Sequence, residues 1–380
     1  MNICRGASPR PIEKYITMQS NGINWIKIGD ISPKENVIKT TKEKITEEGA
    51  KHSRYVRKGD LILSNSMSFG RPYILEIDGC IHDGWLLIQD LEKLFDKKYL
   101  CYLLDSDTVK HQYRKYAAGG VVINLNSELV RSVSVFIPKV QEQEKIASFL
   151  TLIDKKIEKQ KELVELLKKY KRGLLSQIFS QKLRFKDENG NNYPDWEEKR
   201  LGDICTIIGG GTPDTNNDKY WGDDINWFTP TEIIKKYVDC SNRKISNLGL
   251  LKSSAKILPI GTVLLTTRAT LGEMSILQIE ATTNQGFQSL IPNKNLVTSE
   301  FIYYCQPIIK YYCYKYANGS TFLEISKQSL AKLKLKIPYL NEQNKISEYL
   351  SKFDNKIQQE ESRLNYLQMY KKGLLQQMFI

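Results

Sequence analysis

Residues 136–180 read FIPKVQEQEKIASFLTLIDKKIEKQKELVELLKKYKRGLLSQIFS, and residues 336–380 read KIPYLNEQNKISEYLSKFDNKIQQEESRLNYLQMYKKGLLQQMFI. The likeness runs back without a gap to Tyr116 and Tyr316, and about a third of the positions are identical at a constant offset of 200. A repeat this long makes the chain two copies of one architectural unit. The rest of each half is much less alike, which suggests a common frame carrying two different variable domains.

Each repeat opens on a strand-like run, SVSVFIP or KLKLKIP, stopped by Pro138 or Pro338. A helical pattern follows. Its apolar positions are Ile146, Leu150, Ile153, Ile157, Val164, Leu167, Leu174 and Ile178, then Ile346, Leu350, Phe353, Ile357, Leu364, Leu367, Leu374 and Met378. Spacings alternating between four and three make a heptad seam. Both copies break the seam at matched places, Gln160 with Glu360 and Lys171 with Lys371, and both carry a glycine near the end, Gly173 or Gly373. A helix of this length cannot hide a one-sided seam alone. Equal lengths and matched breaks predict that the two helices pair with each other; the alternative is that each packs on its own domain.

Residues 181–199 are polar, with Asn, Gly and Pro, and read as a linker. The variable regions, roughly 1–137 and 200–337, share faint landmarks: INWIKIGDI at 23–31 with INWFTPTEI at 225–233, GDLILSNSMSFG at 59–70 with GTVLLTTRATLG at 261–272, and HDGW at 82–85 with NQGF at 284–287. Period-two alternation there predicts strands. DKKYLCYLLDSDTVKHQYRKY and SEFIYYCQPIIKYYCYKY read as aromatic helices, the second kinked or broken by Pro307.

The chain has 380 residues and a net charge of +13, the excess being spread over both variable regions and the first repeat helix. A distributed excess suits an extended polyanion such as duplex DNA. No apolar run approaches the roughly 20 residues of a membrane span, and seven cysteines without a CxxC pair fit a reducing cytoplasm rather than a disulfide framework. The sequence carries few letters of catalytic type in the spacing that catalysis needs. There is no phosphate loop and no HExxH, and GGGTP at 209–213 reads as a turn. PDWEEK at 194–199 has nuclease-like letters, but a shared metal needs them on neighbouring strands. His52, His82 and His111 have no matched histidines in the second half, so no metal or acid–base role is expected of them.

The doubled motif resembles the specificity subunits of type I restriction–modification systems. It consists of a strand, Pro138, Glu142, Gln143, Lys145, Ile146 and Tyr170–Leu175, repeated as Pro338, Glu342, Gln343, Lys345, Ile346 and Tyr370–Leu375. WEEKRLGDI at 196–204, leading into GGGTP, looks like the start of the family's target-recognition domain. The resemblance implies an α+β fold: two β-rich target-recognition domains separated by two long antiparallel helices in a coiled coil, with a pseudo-twofold internal repeat. The expected divisions are 1–140, 141–180, 181–199, 200–338 and 339–380. No counterpart of 196–203 precedes the first domain, which is therefore expected to lack an edge element.

The resemblance also implies a non-catalytic chain that binds no cofactor of its own. Each domain would read half of a bipartite site in double-stranded DNA. The helices would set the spacer and dock two modification subunits, which use S-adenosylmethionine to methylate adenine at N6. Two motor–nuclease restriction subunits, with ATP and Mg, would complete the complex. A coiled-coil adaptor without a DNA role and a stand-alone nuclease are the competing readings. The residue types that read base edges single out Ser64, Asn65, Ser66, Ser68 and Arg71 in the first domain, and Thr266, Thr267, Arg268 and Thr270 in the second. Glu142, Gln143, Glu342 and Gln343 are expected at partner docking or, alternatively, in local roles at the helix starts. Gln160 and Glu360 are expected as a polar layer where the helices cross.

Overall fold

The computed structural model describes residues 1–30, 36–65, 70–117, 125–268, 270–317 and 324–379. The chain divides into two compact units, Met1–Leu163 with Glu360–Ile380, and Val164–Gln359. The divisions fall inside the two long helices, Val140–Phe179 and Leu340–Met378. Each unit therefore owns one variable domain, the first part of the helix that follows it and the last part of the other helix.

The same sheet lies at the centre of both units. In the first its order is Asn2–Arg5, Trp85–Gln89, Leu61–Ser64, Pro72–Leu75, Val37–Ile38. In the second it is Cys205–Gly209, Gln288–Pro292, Val263–Leu265, Met274–Leu277, Tyr237–Val238. In both, the last strand pairs parallel and the others antiparallel. The central strands are covered on both faces, which is why LIL and VLL are continuous apolar runs. Leu61 and Leu63 face the helices, while Ile62 packs with Ile26, Ile81 and Trp85 toward the second sheet. Val263 and Leu265 repeat this against the helical core, with Leu264 turned toward Phe228 and Phe287. Among the described residues that second sheet has five strands in the first unit and three in the second.

The aromatic segments form helix pairs, Lys97–Asp105 with Asp107–Ala117, and Ser299–Tyr304 with Gln306–Tyr316. Pro307 sits in the first turn of the last helix, where its missing N–H costs nothing. The first pair breaks at Ser106 without a proline, so the bend belongs to the fold and Pro307 conforms to it.

Within each unit the long helices run antiparallel. In the first, Asp154 meets Lys371 and Gln160 meets Glu360. In the second, Lys171 meets Asp354 while Ile178 shares a core with Ile346 and Leu350. The seam serves two purposes. Ile153 and Ile157 pack with Leu364 and Leu367 of the opposite helix, whereas Ile146 and Leu150 join the domain core beside Leu100 and Leu103. Self-pairing and domain packing thus share one stripe. Most seam positions are buried; Ile146, Leu167, Phe353, Leu364 and Leu374 are half-buried, and Met378 is exposed.

Two expectations need correction. The linker is more than a tether: Glu197–Arg200 forms a strand antiparallel to Lys334–Ile337, and Trp196 is buried beneath it. SVSVFIP shares the alternation of KLKLKIP, yet residues 132–138 form no strand. A strand needs a partner for its N–H and C=O groups, and the first domain holds no counterpart of Glu197–Arg200 among the described residues.

Candidate nucleic-acid interface

The ends of the polar segments between the central strands are tied together by one set of bonds. The Gly70 N–H donates to the Ser64 carbonyl at 2.9 Å, and the Gly272 N–H to the Thr266 carbonyl at 2.8 Å. Both glycines are left-handed, φ +71° and +84°, a conformation that a side chain resists. The Arg71 N–H donates to the Ser64 hydroxyl at 3.0 Å, as the Glu273 N–H does to the Thr266 hydroxyl at 2.9 Å.

These bonds settle where several candidate readers lie. Ser64, Asn65, Thr266 and Thr267 are buried. Asn65 spends its amide on the Asp83 carbonyl at 2.8 Å. The Ser64 and Thr266 hydroxyls close the loop, and none of the four side chains faces outward. Arg71 is half-buried, its guanidinium donating to the Asn36 side chain at 2.9 Å and lying 5.4 Å from the Tyr73 ring centre. Ser66 and Ser68 lie outside the described residues. Arg268 and Thr270 stand at the surface; Arg268 is paired with Glu324 at 2.8 Å, and its side chain is 44% exposed.

A helix flanks each loop. Gly70 abuts Tyr113, and Gly272 abuts Lys310. Beyond these contacts the helices expose His111, Arg114, Lys115 and Tyr116 in the first unit, and Tyr311, Tyr314, Lys315 and Tyr316 in the second. Cationic and aromatic side chains beside a polar loop suit phosphate and sugar contacts. Helical periodicity alone did not single them out, because aromatics at that spacing usually mark a core.

The residues expected at the helix starts have internal partners. Gln143 accepts from the Asp96 N–H at 2.9 Å and donates to the carbonyls of Leu94 (3.0 Å) and Pro138 (2.9 Å). Gln343 repeats the set with the Thr298 N–H (3.0 Å), Leu296 (2.8 Å) and Pro338 (2.8 Å). Asp96 and Thr298 in turn cap the aromatic helices. Each glutamine therefore ties a long helix to its own domain. Buried Glu342 accepts two bonds from Arg184 and one from the Trp196 indole. That carboxylate holds the guanidinium pKa above its ordinary value. Of the four, only Glu142 is exposed.

The matched lysines are more than seam breaks. Lys371 pairs with Asp154 at 2.5 Å, and Lys171 with Asp354. Each aspartate also accepts from a domain tyrosine, Tyr102 at 2.7 Å or Tyr304 at 2.6 Å. Burial, reinforced by the aspartate, pushes both phenols well above their usual pKa. Asp154 and Asp354 are identical at the repeat offset, a signal that the apolar pattern overshadowed. Among the described residues no cluster of three His, Cys, Asp or Glu could hold a metal, and no helix is long and apolar enough to cross a membrane.

Comparison with known proteins agrees with this architecture. The family described as "Type I restriction modification DNA specificity domain" matches residues 3–168 and again 193–369. The MjaIX specificity subunit of Methanocaldococcus jannaschii is 35% identical over 208 residues, 53% of this chain and 48% of that protein. The chain thus spans about half the length of that relative. The putative MjaX specificity subunit of the same organism is 24% identical over 96% of this chain and 85% of its own. A solved structure from work on complex assembly and conformational transition of the type I R-M system has the same fold, with a TM-score of 0.65 at 18% identity, covering 99% of this chain and 96% of that one. With its family matched once in each half, the chain belongs to the type I restriction modification DNA specificity family.

Proposed function

We propose that this chain is the non-catalytic specificity subunit of a type I restriction–modification complex. Each domain reads one half of a bipartite, asymmetric duplex site. The helices set the spacer and dock two modification subunits for adenine-N6 methylation, and two motor–nuclease subunits complete restriction. S-adenosylmethionine, ATP and Mg belong to those partners, and the complex works in the cytoplasm. One observation carries the reading: two copies of the same sheet and loop, on the same helical frame, present different residues. Arg268 and Thr270, with the flanking faces around Arg114 and Tyr314, are the proposed contacts. Glu142 and the outer helix faces are the proposed docking surface.

The test combines binding and methylation. The chain with its modification partner should bind duplex DNA with an affinity that falls steeply with salt. Methylome sequencing should return two unlike half-sites centred about 10 base pairs apart, the spacing that places both on one face. Cleavage or methylation by the purified chain alone would overturn the non-catalytic assignment. Salt-independent or absent binding would favour the adaptor.

A further inference from the structure

The first strand of each central sheet runs out into a turn, GASPR at 6–10 and GGTPD at 210–214, and the two turns are held alike. Gly6 and Gly210 pass so close to a second turn, HDGW or NQGF, that a Cβ would stand 2.0 Å from the His82 carbonyl oxygen or 1.9 Å from that of Asn284. The His82 ring accepts from the Gly84 N–H at 2.6 Å, as the Asn284 side chain does from the Gly286 N–H at 2.8 Å. The carbonyls of Gly84 and Gly286 accept from the N–H groups of Asn65 and Thr267, at 3.0 and 2.8 Å. Each second turn is thereby fastened beside the polar segment between the central strands. Asp83 and Gln285 occupy matched places in these turns; Gln285 is exposed, and the Asp83 side chain is 43% exposed. A matched hydroxyl holds each of them. Ser8 donates to the Asp83 carboxylate at 2.9 Å, and Thr212 donates to the Gln285 side-chain carbonyl.

The frame is repeated while the group it presents changes. Burial opposes ionisation of Asp83, but the Ser8 hydrogen bond and the neighbouring positive charge hold its pKa below the ordinary value. An ionised carboxylate only accepts, whereas the Gln285 amide both donates and accepts. We propose that Asp83 and Gln285 are a matched pair of specificity-determining residues, one for each half-site. Gln285 grips an adenine at N6 and N7, and Asp83 accepts from the N4 amino group of a cytosine. The inference rests on the DNA-reading function proposed above and names two of its readers. Ser8 and Thr212 are positioning residues, which set the side chains before the duplex arrives. Arg10 stands 3.8 Å from the Asp83 carboxylate with its side chain 84% exposed, and offsets the repulsion between that carboxylate and the phosphates.

The test uses the full chain with its modification partner, read by methylome sequencing and duplex binding. Asp83→Asn and Gln285→Glu keep an acceptor for Ser8 and Thr212 and change only what a base meets. Gln285→Glu should weaken cognate binding about tenfold or more and admit cytosine at one adenine position of one half-site. Asp83→Asn should admit adenine at one cytosine position of the other half-site. Thr212→Val should relax the same position as Gln285→Glu while the other half-site holds. A wild-type motif that neither exchange alters overturns the pair and leaves the DNA-reading function standing. Equal weakening on all duplexes, or both half-sites failing together with the melting midpoint, also overturns it, because turn or phosphate contacts then explain the residues. A wild-type complex that methylates no bipartite motif overturns the DNA-reading function, and the pair with it.

Discussion

Gln160 donates its side-chain amide to Glu360, its own repeat counterpart, reaching the backbone carbonyl at 3.0 Å and the carboxylate at 2.7 Å. The sequence places the two residues at equivalent positions, and the antiparallel helices of the first unit bring them face to face. Both are buried between apolar stretches of the seam. Buried polar seam residues fix register at a cost in stability. Gln160→Leu strips a buried carboxylate of a donor and should cost about 1–3 kcal/mol. Adding Glu360→Leu should recover most of that, because an apolar pair packs at least as well. Denaturation of the single and double variants decides it: a double variant weaker than either single would remove the register argument.

The glutamines at the helix starts should matter more than any surface residue there. Gln343→Ala leaves the Thr298 N–H, the buried Pro338 carbonyl and the part-buried Leu296 carbonyl without the amide. About 2–4 kcal/mol of destabilisation is expected from the unsatisfied groups. Gln143→Ala should behave alike, since its bonds are the same. Melting curves measure the cost, and a neutral Gln343→Ala would show that water replaces the amide.

Alkali should loosen the fold. Burial pushes the thiols of Cys101, Cys205 and Cys313 up to about 12, and Tyr303 to about 12, with Tyr102 and Tyr304 also raised. A group whose folded pKa is raised gives its full stability below the unfolded value and loses it as pH climbs through the folded one. Unfolded thiols ionise near about 8.5 and phenols near about 10. The melting midpoint under reducing conditions should therefore fall above pH ~8.5 and more steeply above ~10. Burial lowers the Lys236 pKa, an opposing effect from one group. Tyr304→Phe should flatten the upper slope. A midpoint unchanged between pH 8 and 11 would contradict the buried phenols.

Much of the frame was legible because seam periodicity is a property of one helix, readable without its surroundings. Leu61–Leu63 and Val263–Leu265 were legible for a similar reason, since strands covered on both faces must be apolar throughout. What stayed hidden depends on partners. SVSVFIP and KLKLKIP have the same alternation, but only the second has a strand beside it. Ser64 and Thr266 have the chemistry of base readers and also of loop closers, and only the bonds to Arg71 and Glu273 separate the two. Lys171 and Lys371 showed as gaps in a stripe, while the aspartates that answer them lie in the other helix.

The two arginines should now part company. Arg71 is held by Asn36 and lies over Tyr73, so Arg71→Ala should lower stability before it alters any methylated motif. Arg268 is half-exposed, and its partner Glu324 is itself 38% exposed, so the pair is cheap to open. A guanine edge offers the guanidinium two acceptors in place of that carboxylate. Arg268→Ala should therefore leave the melting midpoint nearly unchanged, cost about 1–3 kcal/mol against the cognate duplex and relax one position of one half-site. If Arg268 grips phosphate instead, the same substitution should weaken all duplexes alike and reduce the salt slope by about 1. Methylome sequencing with a salt titration separates these outcomes. An unchanged motif with unchanged affinity would move the search to the flanking helix and its tyrosines, Tyr311 and Tyr314.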